Sequence, residues 1–277
     1  MVDILLTNDD GIDGDGLRAL RDELRALGDV TVVAPADNQS GVGRKRSTHA
    51  TLTEHEMGDE LAGTPADCVA YGLRGMDREF DLVVSGCNHG PNMGAYVIGR
   101  SGTVGAALEA AFLGTPAVAV SAYHNVEFFP HPPADYDFSA PARVARELVE
   151  RSLDAGVFDD VDLLNVNAPI DAEDPRIRVT RPDDDFDVFV DHDADVPDEL
   201  TVGDGERHVA LRDKFWPHTV GYENPFSDIG TVRERYERGS DRRAVIDGEV
   251  SVSPLTAPRQ ATHHEDLDVI VETLNAR

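Results

Sequence analysis

The sequence predicts an α/β fold on a mostly parallel sheet, and three observations carry that prediction. Short apolar runs alternate with stretches of helical period, the pattern of strands joined by crossover helices. Several runs are apolar without a break, as in strands covered on both faces. The chain has 277 residues with 40% hydrophobic content, enough for a sizeable core.

The elements follow in order. Val2–Thr7 reads as the first strand, and Asp15–Leu27 as a helix with Leu17, Leu20, Leu24 and Leu27 on one face. Val30–Ala34 is the second strand. Thr64 and Pro65 form an N-cap followed by proline at the first helical position, opening a helix to about Leu73. Asp81–Ser85, Ala117–Ser121 and Asp162–Val166 are further strands, with helices at Thr103–Leu113 and Ala140–Leu153 between them. After about Thr180 the texture changes: RPDDDFDVFVDHDADVPDEL holds nine acids in twenty residues. The predicted organisation is a core over 1–180, a β-rich extension over 181–260 with a β-like piece at Glu249–Ser253, and a returning segment over 261–277 with a closing helix at Glu265–Leu274. The acidic run Asp183–Asp195 reads as a solvated face.

Charge narrows the class. The net charge is −28, from 35 Asp and 18 Glu against 23 Arg and only two lysines, Lys45 and Lys214. An acidic chain almost without lysine points to adaptation to high salt, where counterions screen the self-repulsion. Fold and activity are then expected to weaken in dilute buffer. The same charge argues against a nucleic-acid partner, which needs basic patches. No apolar run approaches the ~20 residues that span a bilayer, and no basic-then-apolar leader is evident. Cys68 and Cys87 form neither a framework nor a CxxC pair, so a cytoplasmic, reducing location is expected.

The candidate site lies where the strands end. In open α/β sheets, ligands bind outside the carboxyl ends of the strands. The first strand delivers ILLTNDDG, with Asp9 and Asp10 side by side. Adjacent carboxylates repel, and a divalent cation removes the cost. Oxygen ligands of this kind suit Mg²⁺, Mn²⁺ or Ca²⁺ better than zinc. The bland reading is a turn, since Asp and Gly favour turns. A dinucleotide site is the weaker alternative, because Gly11, Gly14 and Gly16 are spaced G-x-x-G-x-G, not G-x-G-x-x-G. The second strand ends in Asn38, Ser40 and Gly41, and the third in Asn88 and Asn92. Ser101, Gly102 and Thr103 precede a small-residue helix, as a phosphate cradle or as an ordinary N-cap. A cation site and an anion cradle at one sheet edge point to phosphoryl chemistry.

Five segments in this order, ILLTNDDG, VVAPADNQSG, GTPADCV, VVSGCNHGPNMG and SGTVGAALEAAFLGTPAVAVS, resemble the successive motifs of the SurE family. The resemblance covers about the first 125 residues closely, and LLNVNAP and VSVSPLT also resemble family segments. It implies a Rossmann-like three-layer core and hydrolysis of nucleoside monophosphates by a 5′/3′-nucleotidase. It also implies one divalent metal per subunit, Mg²⁺ or Mn²⁺, with Ca²⁺ as a substitute in crystals. Carried over by position, the metal ligands are Asp9, Asp10, Ser40 and Asn88, with Asp9 and Asp10 catalytic. Asn8, Asn92, Ser101, Gly102 and Thr103 fall on the phosphate side. The extension is implied to build a homodimer or homotetramer. Rival readings are an exopolyphosphatase acting on short polyphosphate and a non-catalytic, metal-dependent nucleotide-binding oligomer. The chain departs from the pattern at Cys87, where the family carries a branched aliphatic residue, and around Phe215-Trp216. Cys87 reads as a packing residue and His89 as peripheral.

Overall fold

The computed structural model describes residues 1–124, 136–186, 188–192, 195–196, 203, 205–213, 233–257, 270–271 and 274–275. Five parallel strands form the centre of the sheet: β2 (Gly28–Pro35), β1 (Val2–Thr7), β5 (Leu82–His89), β6 (Ala117–Tyr123) and β7 (Leu163–Pro169), adjacent in that order. At one edge β4 (Gly58–Leu61) adds parallel to β2, and β3 (Leu52–His55) adds antiparallel to β4. At the other edge β11 (Val250–Leu255) runs antiparallel to β7, and β8 (Ile177–Val179) completes nine strands. A separate two-stranded ribbon pairs β9 (Val188–Asp191) with β10 (Ala210–Asp213).

Alternating residues of each central strand feed two apolar layers. Ile4, Leu6, Val84, Val118, Val120, Leu164 and Val166 face α1 (Asp15–Leu24) and α5 (Ser139–Asp154). Leu5, Val33, Val83, Ala117, Ala119 and Leu163 face α2 (Pro65–Gly75) and α4 (Gly102–Phe112). This is the three-layer core that the sequence predicts. In α1 the predicted stripe Leu17, Leu20 and Leu24 is fully buried, each side chain contributing about 1.5–3 kcal/mol. Thr64 caps α2 as expected: its hydroxyl accepts from Asp67 N, and the Asp67 carboxylate accepts from Thr64 N at 2.9 Å. Asp67 also accepts from Ser47 N, and these hydrogen bonds hold its carboxyl below the usual range against the opposing effect of burial.

Some elements differ from expectation. β2 begins two residues early, at Gly28, whose missing side chain lets the chain pass Val2: a Cβ there would lie 2.0 Å from the Val2 carbonyl oxygen. The β3–β4 hairpin, the short α3 (Ala95–Ile98) and α6 (Asp241–Ile246) are additional. The β-like piece at Glu249–Ser253 becomes β11 inside the main sheet, so the stretch 181–260 supplies a strand and a helix to the body that holds β1–β7. Of the predicted closing helix, Ile270, Val271 and Leu274 are described and helical, and the rest lies outside the described residues, as do Phe215 and Trp216. Among the described residues no helix is long and apolar enough to cross a membrane.

Candidate active site at the carboxyl edge

Strand β1 ends at Thr7 and delivers Asn8, Asp9 and Asp10 to the carboxyl edge of the sheet. Gly11, at φ +104°, reverses the chain there, a conformation that glycine accepts without steric cost. The Asn8 amide nitrogen donates to Gly11 O at 2.7 Å and pins the turn. Gly16 serves close approach: a Cβ on it would stand 2.0 Å from the Cys87 carbonyl oxygen. Helix α1 can therefore seat directly against the end of β5.

The loop after β2 is tied to this turn. Ile12 N donates to Pro35 O, and Gln39 N donates to Asp9 O at 2.7 Å. Asn38 donates from its amide to Asp10 Oδ1 at 3.3 Å, and its own Oδ1 accepts from Ser40 N. Ser40 is exposed at the mouth. Arg44 and Arg46 reach back to the buried Glu109 of α4, at 2.7 and 3.2 Å. Their charges hold the loop instead of facing the site.

The loop after β5 arrives through an irregularity. Pairing with β6 is regular to Ser85 and shifts before Asn88, at a cis Gly86–Cys87 peptide. A Cβ on Gly86 would lie 2.2 Å from Val120 O, so the shift admits only glycine. It brings His89 N to Asp10 Oδ2 at 3.3 Å. Asn88 spends its amide nitrogen on Gly90 O, at 2.6 Å, and keeps Oδ1 out of that bond. Asn92 is buried with its side-chain nitrogen on Ser121 Oγ at 2.9 Å and Thr103 Oγ1 at 3.5 Å. The His89 ring stands edge-on against Tyr136, with centroids 4.0 Å apart.

Helix α4 closes the site. Ser101 acts as its N-cap, with its hydroxyl oxygen accepting from Val104 N at 3.1 Å. Thr103 donates its hydroxyl to Asp9 Oδ1 at 2.6 Å, so that proton serves the carboxylate. The Gly102 backbone lies flat against the same side chain: a Cβ there would be 2.7 Å from Asp9 Oδ2. Asp9, Asp10, Asn88, Asn92 and the Ser101–Thr103 turn are thus brought together, with Asn8 beneath them and Ser40 on the rim.

The electrostatics leave this edge short of positive charge. Burial raises the Asp9 carboxyl above its ordinary range, against the hydrogen bonds from Thr103 and Gly102. Burial first, and then the charge of Asp9, push Asp10 up to about 7. Asn8 Oδ1 is buried without a hydrogen-bond partner. Among the described residues no group of three His, Cys, Asp or Glu gathers here or elsewhere. The donors are therefore two carboxylates plus amide and hydroxyl oxygens, a set that fits a hard divalent cation retaining several waters. Burial drives the Cys87 thiol well above its usual range and keeps it protonated, so it is packing, as expected from sequence.

Sequence reasoning passed over the residues that hold Asn92. Asn165 and Asn167, two apart on β7, share one face. Asn167 Oδ1 accepts from Asn92 N at 2.7 Å, and the amide nitrogens of Asn165 and Asn167 both donate to Asn92 O, at 2.8 and 3.1 Å. The signal was present in LLNVNAP, as polar side chains at alternate positions of an otherwise apolar strand. Asp241 was also missed. Its carboxylate accepts from Gly94 N at 2.7 Å, Asp183 N at 3.0 Å and Arg242 N at 2.7 Å, fastening the far side of the same loop.

These features define an α/β protein with an acidic, oxygen-lined candidate site at the carboxyl end of its parallel strands. The family model described as Survival protein SurE matches residues 4–186, and the chain belongs to the SurE family. It is 47% identical to the 5′-nucleotidase SurE of Haloarcula marismortui over 276 residues, 98% of this chain and 94% of that one. It is 45% identical to the 5′-nucleotidase SurE of Natronomonas pharaonis, covering 98% of this chain and 99% of the relative. These relatives come from halophilic archaea, in keeping with the acidic composition. The crystal structure of SurE from Aquifex aeolicus superposes with a TM-score of 0.70 at 31% identity, covering 98% of this chain and 99% of that one.

Proposed function

We propose that this protein is a divalent-metal-dependent phosphomonoesterase that hydrolyses nucleoside monophosphates to nucleoside and phosphate. The observation that carries the reading is the Asp9–Asp10 pair, held at a buried sheet edge by Thr103, Gly102 and the β5 loop with no guanidinium or ammonium of the described residues against it. Whole-chain identity to proteins named 5′-nucleotidase SurE supports it.

Asp9, Asp10, Ser40 and Asn88 would hold the metal. When bound, it polarises a phosphoryl oxygen and lowers the pKa of a coordinated water. Thr103 and Gly102 fix the Asp9 carboxylate, which keeps that side chain in place and disfavours its attack on phosphorus. Asp10 is placed to take the proton of the attacking water. The water oxygen bonds to phosphorus, the ester P–O bond breaks, and the departing nucleoside oxygen takes a proton from solvent, while Asp10 later returns its own to solvent. The Ser101 hydroxyl hydrogen and the Asn92 region form the phosphate side. A single carboxylate base supplies about 10²–10⁴ of a rate enhancement that can reach ~10²¹ for such esters, so positioning and charge neutralisation carry most of it.

Of the segment 181–260, the β9–β10 ribbon, which lies outside the main sheet, is the proposed oligomerisation arm. Val188, Val190 and Leu211 of this ribbon are exposed, and an isolated two-stranded ribbon is marginal in water. A homodimer or homotetramer would cover them.

The test of the activity is phosphate release from a panel of nucleoside monophosphates in high salt, with Mg²⁺ or Mn²⁺ and with EDTA. Release that chelation abolishes is expected. Nucleotide binding without release under any metal would replace the enzyme with a non-catalytic binder.

A further inference from the structure

A cavity of about 420 Å³ opens at the β8–β11 edge, lined by Arg178, Arg233, Arg238 and Arg243 together with Asp247 and Glu249. Four guanidinium groups meet two carboxylates there, a local positive excess in a chain of net charge −28. The ion pairs present use the inner nitrogen of each fork. Arg178 Nε lies 2.9 Å from Glu249, Arg233 Nε 2.6 Å and Arg243 Nε 3.0 Å from the two oxygens of Asp247. Arg243 spends Nη1 on the carbonyl oxygens of Arg233 and Tyr236. No described residue takes the terminal Nη groups of Arg178 or Arg233, and Arg238 makes no ion pair with any described residue.

We propose that this cavity is a second anion site, taking a phosphate group, and distinct from the Asp9–Asp10 edge. Guanidinium forks match phosphate oxygens pairwise. Here Glu249 holds Arg178 and Asp247 holds Arg233 through Nε, which turns their Nη donors away from those carboxylates. In the high salt that the composition implies, the Debye length falls to about 3 Å. The net charge of the protein is then not felt at the cavity, and local donor geometry decides what binds. In the sheet order, β8 stands four strands beyond β5, about 19 Å at the usual strand spacing. One small phosphate cannot occupy both places. Free phosphate and the phosphate of a nucleotide present the same chemistry to the forks.

Calorimetric titration of the full chain with inorganic phosphate, in Mg²⁺ and potassium acetate, tests this. Two phosphate sites are expected. The Arg233→Ala/Arg238→Ala variant should weaken one of them at least tenfold while nucleotidase turnover stays within twofold. Arg238→Gln alters an exposed side chain without ion-pair partners among the described residues, so it leaves the fold intact; it should weaken the same site about threefold. A parallel titration with a phosphonate analogue of adenosine monophosphate separates the sources. Equal affinity assigns free phosphate, and tighter binding assigns a nucleotide. A single phosphate site in the parent chain, or a second site unchanged in both variants, overturns the proposal. So does loss of the second site when chloride replaces acetate at equal ionic strength, which would make the occupant chloride.

Discussion

Asp241 and the Asp9–Asp10 pair are buried acids handled in opposite ways. Asp241, with no exposed surface, spends its carboxylate on three backbone N–H groups and has the buried Arg242 as its neighbour. Asp9 receives one hydroxyl and the approach of the α4 backbone, and Asp10 receives two long hydrogen bonds. Burial raises all three carboxyls, Asp241 to about 6 and Asp10 to about 7. A raised pKa therefore does not separate the proposed catalytic acids from Asp241. The separation lies in the neighbours: Asp241 has three backbone N–H groups at 3.0 Å or less and Arg242 beside it, while Asp10 has two hydrogen bonds of 3.3 Å and its nearest charge is the like charge of Asp9.

The largest effect should come from emptying the pair. Asp9→Asn and Asp10→Asn are each expected to lower kcat/KM at least about a thousandfold, ~4 kcal/mol of transition-state stabilisation, while thermal melting shows the fold retained. Near-native turnover by either would remove that residue from the catalytic role.

Next in size is the metal itself. At a hundred times its dissociation constant, Mg²⁺ or Mn²⁺ should stabilise the fold by about 2.7 kcal/mol, several degrees in melting temperature. The pH dependence has a defined sign. Asp10 sits at about 7 when folded and at 3.8 when free. The folded state thus holds the extra proton, and its contribution is complete below about pH 4 and disappears as pH rises through 7. Metal-free protein should lose stability over that window, and the stabilisation by metal should grow across it. Asp10→Asn should flatten the upper part of both trends. A metal-independent melting temperature would contradict the contrast between Asp241 and the carboxyl-edge pair.

Asp241→Asn sharpens the contrast from the other side. The amide places a donor against backbone donors, and a loss of about 1–3 kcal/mol in chemical denaturation is expected, without the metal dependence seen at Asp10. Asn167→Leu removes both the acceptor of Asn92 N and one donor to Asn92 O. A fall of about tenfold in kcat/KM is expected, ~1.4 kcal/mol, with KM carrying part of it because the phosphate side loosens. Thr64→Ala, which touches neither acid, should cost about 1 kcal/mol of stability through the lost cap.

The carboxyl-edge loops were legible in the sequence because a buried strand announces its own end. Apolar runs stopped at Thr7, Ala34 and Ser85, and polar residues after them had to lie at one edge of a parallel sheet. Helix α2 was legible because Thr64 and Pro65 mark a local cap; the part of Asp67 in that cap came only with the structure. The β3–β4 hairpin was not, since TLTEHEMGDEL lies largely on the surface and carries no period. The antiparallel insertion of β11 beside β7 was equally hidden, because pairing across some ninety residues leaves no local trace. In the site, residue types marked Asp9, Asp10, Ser40, Asn88, Asn92 and Ser101–Thr103 as a group. The direction of the Thr103 hydroxyl and the grip of Asn165 and Asn167 on Asn92 depend on three-dimensional contact, and only the structure supplies it.

The two asparagines of β7 have a consequence for assembly. Leu164, Val166 and Ala168 face the layer under α5, while Asn165 and Asn167 face the other way. A slip of one residue in the pairing of β7 would exchange the faces. Two amides would enter a hydrocarbon layer at roughly 1–3 kcal/mol each, and the β5 loop would lose its anchor. Strand alignment is thus proofread by the same hydrogen bonds that hold Asn92 on the proposed phosphate side, and a chain that closes its sheet in the wrong frame cannot build a counterfeit site.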